Sequence, residues 1–438
     1  PDSAARLLRQ QAADGIGRVI PVLHTSDVDC AGFPDVKTGD SVSGLAGPLI
    51  YHFDQFKLVH QTSGDLRVTA VPFPPLPAPL QPGLGQFSVA TVNLENHFDA
   101  IDDTGDDAEP KPDPADIGLK QAKLAAAIGQ TLGCPTLVGI QEVENAALLT
   151  SLAEELAATC GFVYDVTHRE SADVRGIDLA LLSDPNRVQV LAVALRQTCT
   201  DIRTGIVDAT AVCPTGQSPL FSRPPLQVDV TIDGVAHTVY VNHFKSKVGG
   251  EAETEPQRLA HAAHVRALVE AQLAADPAAR LLVLGDMNDY ELSPTLQTLT
   301  ADGRLLNVLA QIPLPQRYSY VYGGVGQLID AVLASPALAE GLTAVTIQHV
   351  NADYPDSLGR DVGPEGLPYK STDHDLPLAI FALPGAPEAG LTVPQATPMV
   401  AATAESGGGN GLWVMGGVGV VGTAVLLVVL VARRRQAR

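Results

Sequence analysis

A series of apolar runs in the middle of the chain, each ending on or carrying a polar residue of one narrow set, constrains the fold most. Asn93 lies in "VATVNLEN", Glu142 in "LVGIQEVEN" and His243 in "VYVNHFKSK". Asp286 and Asn288 follow "LLVLG", Asp330 opens "DAVLAS", and Asp373 with His374 precedes "DLPLAIFAL". Short apolar runs bounded by turn residues read as strands buried on both faces. Between them lie helical patterns, the Ala-rich "DIGLKQAKLAAAIGQTL" and a long stretch from Glu255 to Ala274. Strands alternating with helices over ~300 residues imply an α/β domain with buried sheets.

The 438 residues leave room for more than this domain. Residues 1–70 contain "GDSVSGLAGPLIYHFDQFKLV", short strands with turn residues between them, and read as a small β module that is complete or partial. Residues 71–85 hold six prolines between Pro72 and Pro82 and form an extended linker. The α/β domain covers 86–383, and 384–410 is a Pro, Ala, Gly and Ser-rich stalk. Residues 411–432 carry no charge and are long enough to span a hydrocarbon core as a helix. Arg433, Arg434 and Arg435 follow, so the expected topology is single-pass, with a cytoplasmic tail over 433–438 and the bulk of the chain outside the cell. A start at Pro1 fits either a removed leader or a fragment. Five cysteines accord with an oxidising compartment. Cys199 with Cys213 and Cys134 with Cys160 are candidate disulfides, with Cys30 left over and buried free thiols as the alternative. No internal repeat is evident, and the Ala-, Gly-, Val- and Pro-rich composition is of bacterial type.

Taken singly, the strand-end residues have ordinary readings, since Asp and Asn there cap or turn the chain and a lone His is more often structural. Together they supply a chemistry. Carboxylates and carboxamides are the hard oxygen ligands of magnesium, manganese or calcium. Two His beside carboxylates supply acid and base groups near neutral pH. Asp286 and Asn288, two residues apart, point to one face if the strand stays extended, and Gly285 lets the backbone approach closely. The formal net charge of −21 excludes whole-surface attraction to a polyanion, so such a partner needs a local basic patch or a bound cation.

The ordered set "VNLEN", "GIQEVEN", "GIDLALL", "VNHFKSK", "GDMNDYE", "YSYVYGG", "LIDAVLAS" and "STDHD" resembles the endonuclease/exonuclease/phosphatase superfamily, and most closely its secreted bacterial nucleases. The resemblance covers Gln86 to Leu383, with Met287 where relatives commonly have Phe and a long segment from Asp184 to Arg223 that leaves substrate choice open. It implies a four-layer DNase I-like sandwich, two packed β-sheets flanked by helices. It further implies a divalent cation, Mg2+ first and Mn2+ or Ca2+ otherwise, held by Glu142 with Asn93 and Asp373. In the same resemblance Asp286 orients or deprotonates the attacking water and Asn288 holds the phosphate or metal. Asp330 holds His374, and Asp178 supports His243 at the phosphate or leaving oxygen. Lys245 and Lys247, alternating with Phe244 and Ser246, are expected on one face against backbone phosphates, joined by Arg175, Arg258 and Lys370. The implied function is a cell-surface nuclease acting on DNA more readily than RNA, with no protein partner. The alternatives are a phosphatase or sphingomyelinase-like enzyme and an inactive binding module.

Overall fold

The computed structural model describes residues 22–24 and 34–394, apart from 53–54, 61–65, 77, 102–109, 323 and 361–366. The segment 411–432, the Arg tail and Cys30 lie outside the described residues. Among the described residues no helix is long and apolar enough to cross a membrane. The chain divides into two compact units, the larger comprising Leu76–Val321 and Gly326–Gln395, the smaller drawn mainly from Gly15–Pro75. The smaller unit contains a three-stranded sheet (Val22–His24, Gln55–His60, Leu49–His52) and a separate pair, Ser41–Ser43 with Arg67–Thr69.

The larger unit contains two six-stranded sheets. In chain order the first holds β1 (Gln86–His97), β2 (Leu137–Val143), β3 (Asp165–Arg169) and β4 (Asp178–Ser183). The second holds β5 (Val188–Leu195), β6 (Leu226–Ile232), β7 (Val235–His243), β8 (Leu281–Asp286), β9 (Leu306–Asn307) and β10 (Asp330–Ala334). The last two strands, β11 (Leu342–Gln348) and β12 (Leu376–Ala382), return to the first sheet. The orders are β11-β12-β1-β2-β4-β3 and β5-β6-β7-β8-β10-β9.

One plan is used twice. In each sheet the central pair is parallel, β1 with β2 and β7 with β8, and its outer neighbours run antiparallel. A helical crossover joins each parallel pair, as parallel neighbours require. The first is α1 (Pro114–Ala125), which continues as a π-helical turn to Thr131; the second is α3 (Glu251–Ala275). Two further helices, α2 (Ala146–Cys160) and α4 (Pro294–Thr300), follow β2 and β8. This repeat of topology leaves no trace in the sequence, which is why none is found there.

Period-two alternation divides each strand between two cores. Phe87 and Val89 of β1, Leu179 and Leu181 of β4, Val239 and Val241 of β7, Leu282 and Leu284 of β8 and Val332 and Ala334 of β10 fill the space between the sheets. Ala90, Val92 and Leu94 of β1 and Ala180 and Leu182 of β4 pack outward with Leu124, Leu149 and Leu152 of α1 and α2. Tyr240, Leu281 and Val283 pack outward with Ala262, Val265 and Leu296 of α3 and α4. The result is the expected helix–sheet–sheet–helix sandwich. At Gly139 a Cβ would stand 2.1 Å from Leu284 Cδ1 of the facing sheet, so any other residue there must displace that side chain within the inter-sheet core.

Five strands of the two sheets have no counterpart in the sequence reading: β3, β5, β6, β9 and β11. Two lie within or beside the long segment before β7, where β5 pairs antiparallel with β6. Both candidate disulfides form, Cys134–Cys160 and Cys199–Cys213.

Candidate active site

Parallel central pairs deliver their C-terminal ends to one edge of the sandwich. β1 and β2 bring Asn93 and Glu142, and β7 and β8 bring His243 and Asp286, which are register partners. Asp330 arrives at the same edge because β10 runs antiparallel from it, paired with Asp286, and His374 because β12 starts two residues later. Asn93, His243, Asp286 and Asp330 continue the alternation whose other members on each strand fill the inter-sheet core. Apolar packing therefore aims four polar side chains into one space.

Backbone irregularity aims the others. Glu142 has φ 62° and sits where the β2–β4 register shifts, a bulge that breaks the alternation at that residue. Asn288 has φ 49°, and its N–H donates to Asp286 Oδ1 at 2.7 Å. The two residues thus meet through a tight turn, since β8 ends at Asp286; the extended spacing expected from sequence is not used. Of seven non-glycine residues with positive φ among the described residues, Glu95, Asn96, Glu142 and Asn288 lie at these strand ends, and such strain concentrates where function demands a geometry.

Asp286 is the centre of the cluster. Its Oδ2 accepts from Asn288 Nδ2 at 3.0 Å and Asn93 Nδ2 at 3.3 Å, and lies 3.6 Å from His243 Nε2 and 3.9 Å from His374 Nε2. Burial raises its pKa to about 7; His374 opposes the rise, while Asp330 and Glu142 add to it. His374 Nδ1 bonds Asp330 Oδ2 at 2.8 Å, and its ring lies 5.0 Å from that of Tyr320. Burial works against a charge on His374, but Asp330, Asp373 and Asp286 outweigh it and hold the pKa well above the usual value. His243 behaves oppositely. Burial first, then Arg223 and Arg175, keep it far below the ordinary range and therefore neutral. Its Nε2 stands 3.5 Å from Glu142 Oε1, while Nδ1 is buried without a hydrogen-bond partner. Glu142 Oε2 accepts from Asn96 N at 2.9 Å.

Several expected roles need correction. Asp178 does not reach His243. Leu179 and Leu181 occupy the inter-sheet core, so Asp178 falls on the outward face of β4 and bonds His168 Nε2 at 3.1 Å and Ser171 N at 2.9 Å. With Glu170 this pair forms a group of three donors whose ligand atoms lie within 4.8 Å of one another. Asp373 Oδ1 is 4.0 Å from His374 Nε2, and Asp373 helps raise the Glu95 carboxyl, whose burial is the larger cause.

Lys245 and Lys247 do not alternate along a strand, because β7 ends at His243. Lys247 Nζ donates to the Asn288 carbonyl, lies 3.6 Å from Asp289 Oδ1 and sits over the Tyr290 ring at 4.2 Å. It fixes the turn carrying Asn288. Lys245 is half-buried. Arg258 is fully buried, with Nε on Asp289 Oδ2 at 3.2 Å and Nη1 on Thr254 Oγ1 at 2.7 Å. Lys370 pairs with Asp356 at 3.3 Å. Arg175 is exposed and reaches Asn96 Oδ1 at 3.4 Å.

Arg223 is the site residue that the sequence reading overlooked. It is buried, its Nη1 is held by Asp173, and its Nε is buried without a partner. It contributes positive potential at His243 and feels Glu142 and Asp286 in turn. The signal was "FSRPP" immediately before β6, an Arg flanked by an aromatic and a rigid Pro pair.

The sequence profile of the endonuclease/exonuclease/phosphatase family matches residues 88–353. No curated protein matches the chain. Among solved structures, an endonuclease/exonuclease/phosphatase protein of Bacteroides vulgatus is 16% identical, with 68% of this chain and 99% of that chain covered and a TM-score of 0.43. Truncated TDP2 of Caenorhabditis elegans is 15% identical, with 68% and 98% covered and a TM-score of 0.46. The human Nocturnin catalytic domain is 14% identical, with 68% and 94% covered and a TM-score of 0.42. With well over half its length matched, this chain belongs to the endonuclease/exonuclease/phosphatase family, whose members are hydrolases acting on phosphodiester bonds.

Proposed function

We propose that this chain is a divalent-cation-dependent phosphodiesterase that cleaves nucleic acid, DNA in preference to RNA, outside the cell and tethered by its C-terminal segment. In this reading 86–383 is the catalytic domain, 384–410 a stalk and 411–432 the membrane anchor. The observation that carries the hydrolytic reading is one buried cluster in which Asp286 Oδ2 accepts from Asn93 and Asn288 and lies 3.6 Å from His243 Nε2 and 3.9 Å from His374 Nε2. Burial pushes Asp286 up to about 7 and His243 well below its ordinary range, while Asp330, Asp373 and Asp286 hold His374 well above it.

The donors fit a hard cation. Burial raises the Asp286 carboxyl, and the neighbouring Asp330 and Glu142 carboxylates add to the rise, a surplus of negative charge that a cation relieves. Glu142, with Asn93 and Asp373, would hold it. Magnesium takes only one or two protein carboxylates and completes its shell with water and substrate phosphate, so a loose protein set is sufficient. Such an ion neutralises charge on the phosphoryl oxygens.

The chain's own groups do the rest. Asp286, oriented by Asn93 and Asn288, takes the proton of the attacking water, a task suited to a pKa near 7. His374, kept protonated by Asp330, presents its Nε2–H to phosphoryl oxygen. His243, with carboxylates near Nε2, carries its proton there and serves as a neutral donor to the phosphate; its low pKa disfavours the role of acid to the leaving oxygen. Arg223 and Arg175 supply the local positive potential that the −21 chain otherwise lacks.

The test is cleavage of supercoiled plasmid by the purified protein across Mg2+, Mn2+ and Ca2+, with and without EDTA, beside RNA, inositol phosphate and sphingomyelin. Cation-dependent nicking of DNA is the expected result. Turnover of only a small or lipid phosphoester would move the substrate class, and no turnover of any would favour a binding module.

A further inference from the structure

A second His–Asp pair lies one residue from the first. Asp375, adjacent to His374, is fully buried and accepts three hydrogen bonds: Oδ1 from Asn351 N at 2.9 Å and Ala352 N at 3.0 Å, Oδ2 from His349 Nδ1 at 2.7 Å. Its own N–H donates to the Ser319 carbonyl at 2.7 Å. His349 Nε2 lies 3.1 Å from the Gln316 carbonyl. Both ring nitrogens thus face acceptors only, which requires a proton on each and makes His349 the cationic partner of Asp375. The ring is stacked on Tyr318 at 4.2 Å between centroids and 19° between planes, and Tyr318 donates its hydroxyl to Asp353 Oδ2 at 2.7 Å.

Asn351 completes the connection. It is fully buried, and its side chain spans the segment that carries Asp373 and His374. Oδ1 accepts from Ser371 N at 2.9 Å and Ser371 Oγ at 3.1 Å; Nδ2 donates to the His374 carbonyl at 2.6 Å and to Thr372 Oγ1 at 3.3 Å. Neither His349 nor Asn351 has a bond to Asp286, His243 or Glu142 among those described. His349 Nδ1 and both side-chain polar atoms of Asn351 are spent on the 371–375 segment, and His349 Nε2 ties the ring to Gln316.

We propose that His349 and Asn351 are positioning residues for His374 and Asp373. The buried His349–Asp375 ion pair and the Asn351 clamp fix the main chain on both sides of His374, so that its Nδ1 meets Asp330 and its Nε2 faces Asp286. The "HVNADY" segment after β11 is therefore part of the catalytic apparatus, acting through "STDHD" without touching substrate. The inference rests on the hydrolytic reading above for its kinetic readout.

The experiment compares wild type, His349→Ala, His349→Gln, His374→Ala and the double variant His349→Ala with His374→Ala, measuring kcat and KM for a chromogenic phosphodiester and the thermal midpoint of each. Misplacing a reacting group by about 1 Å loses on the order of 100-fold in rate. The expected result is such a fall in kcat for His349→Ala with KM within about threefold, a smaller fall for the full-sized His349→Gln, and no further fall when His349→Ala is added to His374→Ala. Wild-type kcat in folded His349→Ala would overturn the proposal, as would a full second drop in the double variant. If His349→Ala does not fold, His349→Gln carries the same comparison; failure of both to fold would make the pair a stability determinant and overturn the positioning role. An inactive wild type would instead strike the hydrolytic reading.

Discussion

Replacing Gly285 by alanine separates backbone strain from steric displacement in the strand that delivers Asp286. Gly285 has φ +128°, a conformation that L-residues rarely adopt, and holding a non-glycine residue in such a region costs of order 1–3 kcal/mol. The new Cβ would also stand 2.0 Å from the Asn242 carbonyl oxygen and 2.9 Å from its carbon, both backbone atoms of β7. Ordinary contact needs about 3.5 Å, so β7 and β8 must part by more than about 1 Å. Loosening one or two ladder hydrogen bonds adds about 0.5–1.5 kcal/mol each. The sum, roughly 2–6 kcal/mol, is a large share of the 5–15 kcal/mol typical of folded proteins. The next register pair is His243 with Asp286, so the same separation is expected to lower kcat by about 100-fold. Gly161, the cap residue of α2, is the control: its φ is +77°, and a Cβ there meets nothing within 4 Å. Gly161→Ala should cost about 1 kcal/mol and leave kcat unchanged. Thermal unfolding with steady-state phosphodiester hydrolysis reads both variants. If Gly285→Ala proves as mild as Gly161→Ala, the reasoning from sheet register to site geometry is wrong.

Other outcomes follow from the site. Asp330→Asn removes the charge that keeps His374 protonated and should lower kcat by at least tenfold, with the high-pH limb of the rate profile moved to lower pH. Arg223→Ala should lower kcat/KM by about 100-fold, comparable to removing one electrostatic donor, and Arg223→Lys should recover only part because the planar fork is lost. Stability should be greatest near pH 6.5. Burial holds His97, His237 and His261 neutral down to about 3, 4 and 3. The unfolded chain therefore binds more protons below about 6.5, and each of the three withdraws about 2 kcal/mol by pH 5. His349 and His374 are raised, so their contribution is full below about 6.5 and is lost as pH rises through their folded values. Urea unfolding from pH 5 to 9 checks this, and a flat profile would contradict it.

The fold and much of the site are legible because several apolar runs end on or begin with the same narrow set of carboxylate, carboxamide and imidazole residues, although each alone reads as a cap or turn. Asn93, His243, Asp286 and Asp330 could be assembled from sequence since each ends or begins a run of apolar residues, and the structure places them at one edge. Phase was not legible where both faces of a strand are apolar. In β4 the residues on either face are Leu and Ala alike, so nothing in "IDLALLS" reveals that Asp178 looks away from His243 toward His168. Glu142 and Asn288 depend on a bulge and a positive φ that no periodicity encodes. Arg258 and Lys247 illustrate another limit. A cation near a phosphate-type motif reads as a ligand for phosphate, whereas here each is spent on Asp289 and the turn around it. Arg223 is hidden at the end of the long segment from Asp184, which carries no motif of the set, yet β5 and the pairing of Cys199–Thr200 with Ser218–Pro219 order that segment.

The most direct test of the account is plasmid cleavage by Asp286→Asn beside wild type at saturating Mg2+ or Mn2+. The substitution keeps the shape and one accepting oxygen for Asn93 Nδ2 and Asn288 Nδ2, gives up the bond from the Asn288 N–H, and removes the proton acceptor. The account expects cation-dependent cleavage by wild type and a loss of at least about 1,000-fold in folded Asp286→Asn, within the range ascribed to general base catalysis. Cleavage by Asp286→Asn at the wild-type rate would place the chemistry elsewhere in the molecule.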